Sequence, residues 1–306
     1  MRHGSSDALD AFAAEVGGPG AGPVVAVGGR TRWELGGAVD PAAREVRAPA
    51  GIVEFEPAEM TVRVGAGTTV EDLDKALAEH GQCVALPAGD GSTVGGALAV
   101  GRSGMRRLGY GPVRDTLLEA RYVSAQGAVV KAGGPTVKNV SGYDLCRLLV
   151  GSLGTLGLLG EVVLRTRPLP AESRWFAGEA DPFALVRRLH RPSSVLWDGR
   201  TTWVLLEGHR IDVAAQGALA GLEALAPPAR LPAIPPWRWS LRPRALRALA
   251  GDGLGPFVAE IGVGTVHRHH PMPSRPLAPP VAELHRRLKA AFDPTGRLAP
   301  GRTLSP

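Results

Sequence analysis

Residues 92–115 read STVGGALAVGRSGMRRLGYGPVRD. Six glycines and three closely spaced arginines (Arg102, Arg106 and Arg107) stand there with almost nothing large and apolar. Such a stretch is either a flexible loop or backbone that must lie close against something. Ser92 can cap a short helix through residues 93–101, whose side chains are mostly small, and such a helix lets a flat or extended ligand reach its backbone. Its N-terminus would offer free N–H groups and a positive dipole to a diphosphate or a ring carbonyl. Close packing of a small-residue helix on a sheet is the competing reading of the same residues.

Upstream, an apolar strand over residues 24–27 runs straight into GGRT at 28–31. Successive N–H groups in a glycine turn make a concave anion site, so this turn suits a phosphate. No Gly-Lys-Ser/Thr follows as in a P-loop, and the G-x-G-x-x-G spacing of a dinucleotide fingerprint is absent. GTLGLLG at 154–160 imitates that fingerprint but precedes a strand instead of following one.

Around these stretches the chain reads as mixed helix and sheet. A helix begins at Ser6 or Asp7 and places Leu9, Phe12 and Val16 on one side. GIVEFEP and MTVRVGAG are strand-like, and the Thr68–Glu71 spacing opens a helix with Val70, Leu73 and Leu77 on one face. Two strands flank a turn at 124–127, a short helix YDLCRLLVG follows, and SLGTLGLLGEVVLRTRPLP is a loop entering a strong strand. Pro168 and Pro170 mark the boundary between two domains, residues 1–170 and 171–306.

The second half is richer in Trp and Pro. SRWFAGE, SSVLWDG, TTWVLLEGHR and PFVAEIGVGTVHRH read as strands, PFALVRRLH and VAAQGALAGLEALA as helices. That order fits an α+β layer with one antiparallel sheet. A closing helix over 281–292 precedes the tail DPTGRLAPGR.

Composition narrows the function. Net charge is +6, carried almost wholly by arginine, since lysine occurs only at 75, 131, 138 and 289. The basic residues are scattered and lack interleaved aromatic rings, which argues against nucleic acid. No apolar run reaches the roughly 20 residues of a membrane span, and the N-terminal helix lacks the core of a signal peptide. These features predict a cytoplasmic protein, with any membrane association made through partners. Cys83 and Cys146, both among apolar residues, are too few for a disulfide scaffold, an iron–sulfur cluster or a zinc site.

Taken in order, VVAVGGRT, VRVGAGTTVEDLDKAL, the stretch from Leu86 to Gly134, KNVSGYDLCRLLVGSLGTLGLLGEVVLRTRPLP and the ending FDPTGRLAPGR resemble one family. It is that of the FAD-binding oxidases of the vanillyl-alcohol oxidase and p-cresol methylhydroxylase type, and within it the E-subunit type of bacterial glycolate oxidases. The resemblance is dense over residues ~20–170. It implies an α+β fold, with a two-subdomain FAD-binding domain followed by a small α+β cap whose C-terminal helix returns to the FAD domain. It also implies FAD as cofactor. Gly28, Gly29, Arg30 and Thr31 match the pyrophosphate loop, and Pro87, Ser92, Thr93, Val94, Gly95 and Gly96 the segment lining flavin and diphosphate. Gly101, Ser103 and Gly104 continue that path, Tyr110, Gly111, Arg114 and Asp115 match the next turn, and Gly154, Leu156, Gly157 and Leu159 the loop along the ring systems. The pyrophosphate loop GGRTRWELGG holds neither His nor Cys, so the flavin is expected to be non-covalent.

Relatives of this type oxidise alcohols or 2-hydroxy acids, giving a hydride to the flavin while a base takes the hydroxyl proton. His267 in GVGTVHRHHP is the candidate base, and Arg106 and Arg268 are candidate clamps for a substrate carboxylate. His267, His269 and His270 lack a nearby carboxylate to complete a metal set, so no metal is expected. The small cap, the absence of a clear base and of cluster ligands, and Ala299 where relatives often carry asparagine point to an accessory flavin subunit. Its partners would be a second FAD-binding subunit and an iron–sulfur subunit, with Trp237 and Trp239 of PAIPPWRWSLRP as an interaction surface. A flavin-binding structural subunit without turnover, a stand-alone FAD-dependent alcohol oxidase and, more distantly, an NADPH-using cell-wall precursor reductase are the alternatives.

Overall fold

A computed structural model describes residues 3–87, 89, 91–134, 144–273 and 276–303. In chain order the elements are α1 (His3–Val16), β1 (Val24–Ala26), β2 (Arg44–Val46), β3 (Ile52–Glu56), β4 (Thr61–Gly65), α2 (Val70–Ala78), β5 (Gln82–Cys83), α3 (Val94–Val100), α4 (Arg107–Tyr110), β6 (Leu117–Val123), β7 (Val129–Gly133), α5 (Leu145–Leu149), β8 (Leu158–Arg165) and β9 (Arg167–Pro168). Then come β10 (Glu172–Gly178), α6 (Pro182–Arg188), β11 (Ser194–Trp197), β12 (Thr202–Gly208), α7 (Arg210–Ala220), β13 (Glu223–Ala224), β14 (Trp237–Ser240), β15 (Phe257–Glu260), β16 (Thr265–Arg268) and α8 (Pro279–Phe292). They form two compact units: Met1–Gly104 with Pro112–Leu169 and Leu277–Pro306, and Met105–Gly111 with Pro170–Pro276.

The first unit is built on a five-stranded antiparallel sheet of order β3-β4-β8-β6-β7, with β1 and β2 forming a separate parallel pair. Strand alternation explains its two faces. Val62, Val64, Ala120, Tyr122, Val162 and Leu164 point to a core shared with Leu73 and Leu77 of α2, Val94 and Leu98 of α3 and Leu149 of α5. The other face packs Leu9, Phe12 and Val16 of α1 on Val123 and Leu158, and carries charges at the intervening positions. Helix α1 starts before Ser6, and the cap of α2 is Thr69, not Thr68. Thr69 accepts from Asp72 N, while the Thr68 hydroxyl takes the N–H of Gly51 at 2.8 Å. Residues 138–143 of KNVSGYDLCRLLVG lie outside the described residues.

On the charged face Arg63 Nη1 reaches Glu119 at 3.0 Å and Glu161 at 3.2 Å, and Lys131 Nζ lies 3.1 Å from Glu119. Burial alone would push the Glu119 carboxyl up, but Arg63 and Lys131 outweigh it and hold it below the ordinary glutamate value. A depressed folded-state value stabilises the fold above the unfolded-state value of about 4.3, and that stabilisation is lost as pH falls through the folded one. Thermal melts are therefore expected to show stability dropping below about pH 4.3. Glu119→Gln should cost about 1.5 kcal/mol at pH 7, because Arg63 keeps Glu161 and the half-exposed Lys131 can turn to solvent, and should flatten the acid limb. A variant with the parent's acid limb would contradict this.

The second unit is a seven-stranded sheet of order β13-β10-β12-β11-β15-β16-β14, antiparallel at every described pairing. One face packs on α6 and α7 through Phe176, Leu185, Val204, Leu206, Val213 and Val266. The run PFVAEIGVGTVHRH is not one strand: it folds into the β15–β16 hairpin, turning through Gly262 (φ 83°) and Gly264 (φ 94°). Helix α7 is shifted toward the N-terminus and stops where Gly221 adopts φ 67°. The Trp237–Trp239 segment, read from the sequence as an interaction surface, belongs to the edge strand β14. Trp239 is buried in the core, while Trp237 is half exposed.

Candidate functional site

Strand β1 delivers the chain into the GGRT turn within the first unit. Val27 N donates to Val46 O at 2.9 Å and Trp33 N to Arg30 O at 3.3 Å. Among the described residues no hydrogen bond uses the five amides in between, at 28–32. Arg30 adopts φ 54°, the left-handed conformation that alternates with ordinary backbone in an anion-binding nest. The turn thus presents a run of donors without acceptors.

These residues line a groove with Ser92, Thr93 and Gly96 at the start of α3 and Ala99, Val100 and Leu153. Helix α3 contributes its small side chains but not its amides. Thr93, not Ser92, is its cap, accepting from Gly96 N at 3.1 Å. Val94 N goes to Thr68 O at 2.9 Å and Gly95 N to Ala66 O at 2.7 Å. The free helix-terminus donors expected from the sequence are spent inside the protein, and the anion-seeking amides belong to the 28–32 turn.

Positive charge gathers at the same place. Arg30, Arg32 and Arg302 line the groove, with the Arg30 and Arg302 guanidiniums 5.0 and 4.6 Å from the Trp33 ring centroid. Arg302 is held by Gly37 O at 2.7 Å and by Leu35 O, and Arg30 pairs with Glu45. Burial holds Arg302 below the ordinary arginine value. Burial, and then repulsion from Arg32, does the same to Arg102, which lines an adjoining apolar groove sharing Leu35, Val100 and Leu153 with the first. Cations that repel one another are what a polyanion would relieve.

Seven of the expected site residues meet in the groove: Gly28, Gly29, Arg30, Thr31, Ser92, Thr93 and Gly96. Pro87, Val94, Gly95, Gly101, Ser103, Gly104, Arg114, Asp115, Gly154, Leu156, Gly157 and Leu159 belong to the same unit but not to the groove's lining, and Tyr110 and Gly111 belong to the other unit. Several of these glycines serve the chain itself. A Cβ on Gly95 would come within 2.8 Å of Ala66, on Gly101 within 2.8 Å of Gly151, and on Gly157 within 2.4 Å of the Tyr122 ring. Arg32, Trp33, Leu35, Ala99, Val100, Leu153 and Arg302 line the groove without having been singled out. Arg302 could have been found, since it closes the APGR tail already matched to the family.

In the second unit His267 sits on β16, its Nε2 3.0 Å from Glu260 Oε1. Neither candidate clamp is free. Arg268 is fully buried, paired with Asp252 and set over Trp239 and Phe257; Arg106 Nε donates to Glu207 at 3.0 Å. Among the described residues no group of three or more His, Cys, Asp or Glu could hold a metal ion.

Comparison with known proteins gives this geometry its context. Residues 20–133 match the family model described as FAD binding domain. The chain is 29% identical to glycolate oxidase subunit GlcE of Escherichia coli over 92% of each chain. It is 42% identical to D-lactate dehydrogenase of Archaeoglobus fulgidus, over 34% of this chain and 24% of that one. Glycolate oxidase subunit GlcD of Bacillus subtilis matches at 35% identity, again over about a quarter (26%) of its length. Among solved structures, alkyldihydroxyacetonephosphate synthase superposes with a TM-score of 0.67 at 15% identity, covering 96% of this chain and 74% of that one. Berberine bridge enzyme gives 0.51 at 16% identity, covering 69% of this chain and 47% of that one. These likenesses establish the fold.

Proposed function

We propose that this chain, a member of the FAD-binding oxidases of the vanillyl-alcohol oxidase type, is the flavin subunit of a 2-hydroxy-acid oxidase or dehydrogenase and passes electrons from substrate to a partner subunit. The observation that carries the proposal is the end-to-end likeness to a glycolate oxidase subunit, joined to a groove whose free amides and arginines suit a diphosphate. The residues fit FAD: the 28–32 amides with Arg32 and Arg302 would hold the diphosphate, and Gly96 keeps the groove clear of a side chain, while Gly28 and Gly29 let the turn pack against Thr93 and Gly91. FAD, when bound, supplies the hydride acceptor. His267 would take the proton of the substrate hydroxyl. The partners would be a second FAD-binding subunit and an iron–sulfur subunit, since the chain's two cysteines cannot ligate a cluster.

The groove's lining contains neither His nor Cys, so the flavin should be non-covalent. Acid precipitation is expected to release the yellow colour into the supernatant; colour kept in the pellet would contradict the reading. The function itself is tested by anaerobic titration of the FAD-loaded protein with a panel of 2-hydroxy acids. Bleaching of the flavin by at least one of them is expected. No bleaching by any would favour a second reading, a flavin-holding subunit without turnover. The internal pairing of Arg106 and Arg268 supports that reading, because neither is left to hold a substrate carboxylate.

A further inference from the structure

The face of the seven-stranded sheet turned away from α6 and α7 carries an acid–base pair. On β16, Val266 enters the core and His267 points to the opposite face; on β15, Ala259 enters the core and Glu260 opposes it. The register sets Glu260 against Thr265 and Val258 against His267, so Glu260 and His267 are diagonal neighbours on one face. Arg238 stands directly across from His267 on β14, its guanidinium donating to Thr265 Oγ1 at 3.1 Å. The Glu260 side chain is only 4% exposed. One of its oxygens meets the imidazole Nε2 at 3.0 Å and the other has no hydrogen-bond partner among the described residues.

A buried carboxylate with an unsatisfied oxygen is costly, and an aliphatic side chain would fill the same space without that cost. What the carboxylate does provide is an acceptor for one ring nitrogen of a histidine whose other nitrogen, Nδ1, makes no hydrogen bond among the described residues. Holding a base by its far nitrogen fixes the tautomer and stabilises the imidazolium that forms on proton uptake. We infer that Glu260 is the positioning residue for His267, holding Nε2–H so that Nδ1 receives the proton of the substrate hydroxyl. The inference rests on the proposed hydroxy-acid chemistry. In that chemistry the substrate hydroxyl would lose its proton to Nδ1 while the carbinol carbon gave up a hydride, for which bound FAD would supply the acceptor, leaving a carbon–oxygen double bond.

The test uses the FAD-loaded protein with Glu260→Gln, Glu260→Asp and His267→Gln, all checked for FAD content and melting. Glutamine offers a donor at one end and an acceptor at the other, so it no longer imposes one tautomer. Nitrogen-15 NMR of labelled histidine is expected to show a single Nε2–H tautomer for His267 in the parent and a mixture in Glu260→Gln. Anaerobic flavin reduction by the best 2-hydroxy acid should slow about 100-fold or more in Glu260→Gln and His267→Gln, with substrate affinity within about 2-fold of the parent and partial recovery in Glu260→Asp. A tautomer indifferent to residue 260, or unchanged reduction by Glu260→Gln, would overturn the inference even if hydroxy acids bleach the flavin. A residue-260-dependent tautomer in a protein that no hydroxy acid reduces would uphold the pairing and overturn the substrate reading.

Discussion

Gly96→Val is expected to abolish FAD binding and leave the chain folded, whereas Gly29→Val should damage both. A Cβ on Gly96 meets nothing within 4 Å except the Thr93 hydroxyl at 3.0 Å, and both residues line the groove. The valine branch would therefore occupy ligand space. A Cβ on Gly29 would fall 1.7 Å from the carbonyl oxygen of Gly91, so any side chain there must push two backbone segments apart. For Gly96→Val the parent's gain in stability from FAD should vanish, a loss of roughly 2.7 kcal/mol when FAD is at 100 times its dissociation constant. The melt without FAD should stay near that of the apo parent. If Gly96→Val is stabilised by FAD as the parent is, the groove has been misassigned.

Arg297→Met should cost about 3–5 kcal/mol in denaturant unfolding. The guanidinium, almost wholly buried, donates to the carbonyls of Val16 at 2.6 Å, Gly22 at 2.9 Å, Gly17 at 3.0 Å and Ala125 at 3.3 Å. Methionine replaces only its aliphatic stem and would leave these acceptors buried and unpaired. Lysine should rescue only in part, since a point charge cannot reproduce the planar fork. The effect should reach the cofactor. Val24 N donates to Arg297 O at 2.9 Å and Ala299 N to Val24 O at 2.8 Å, so the tail fixes the strand that feeds the 28–32 turn. FAD affinity should therefore fall along with stability; a loss under about 1 kcal/mol would contradict the assignment.

Much of this arrangement could be read from residue order. The strand entering GGRT, the α2 pattern of Val70, Leu73 and Leu77, and the hairpin around Ser124–Gly127 follow from local periodicity and turn chemistry, and each is present. What escaped depended on partners distant in sequence. The amides of α3 read as free donors because nothing nearby in the chain suggests that Ala66 and Thr68 accept from them. Trp33 and Arg302 are 269 positions apart, and only the folded tail brings the guanidinium to the ring. Arg268, an apt carboxylate clamp by residue type, turned inward because strand alternation puts it on the core side with Val266. Trp239 went inward on the same face, so replacing both tryptophans would confound partner loss with core loss, and Trp237 alone is the clean probe of that edge.

The claim on which all else rests is that the acceptor-free amides of residues 28–32 hold the diphosphate of FAD. Hydrogen exchange of the apo and FAD-saturated protein, read at the peptides covering the turn, tests it without recourse to turnover. Exchange at 28–32 should be rapid in the apo protein and strongly slowed by FAD, while the α3 amides, already bonded internally, change little. FAD that binds, yet leaves exchange at 28–32 as fast as before, would contradict the account.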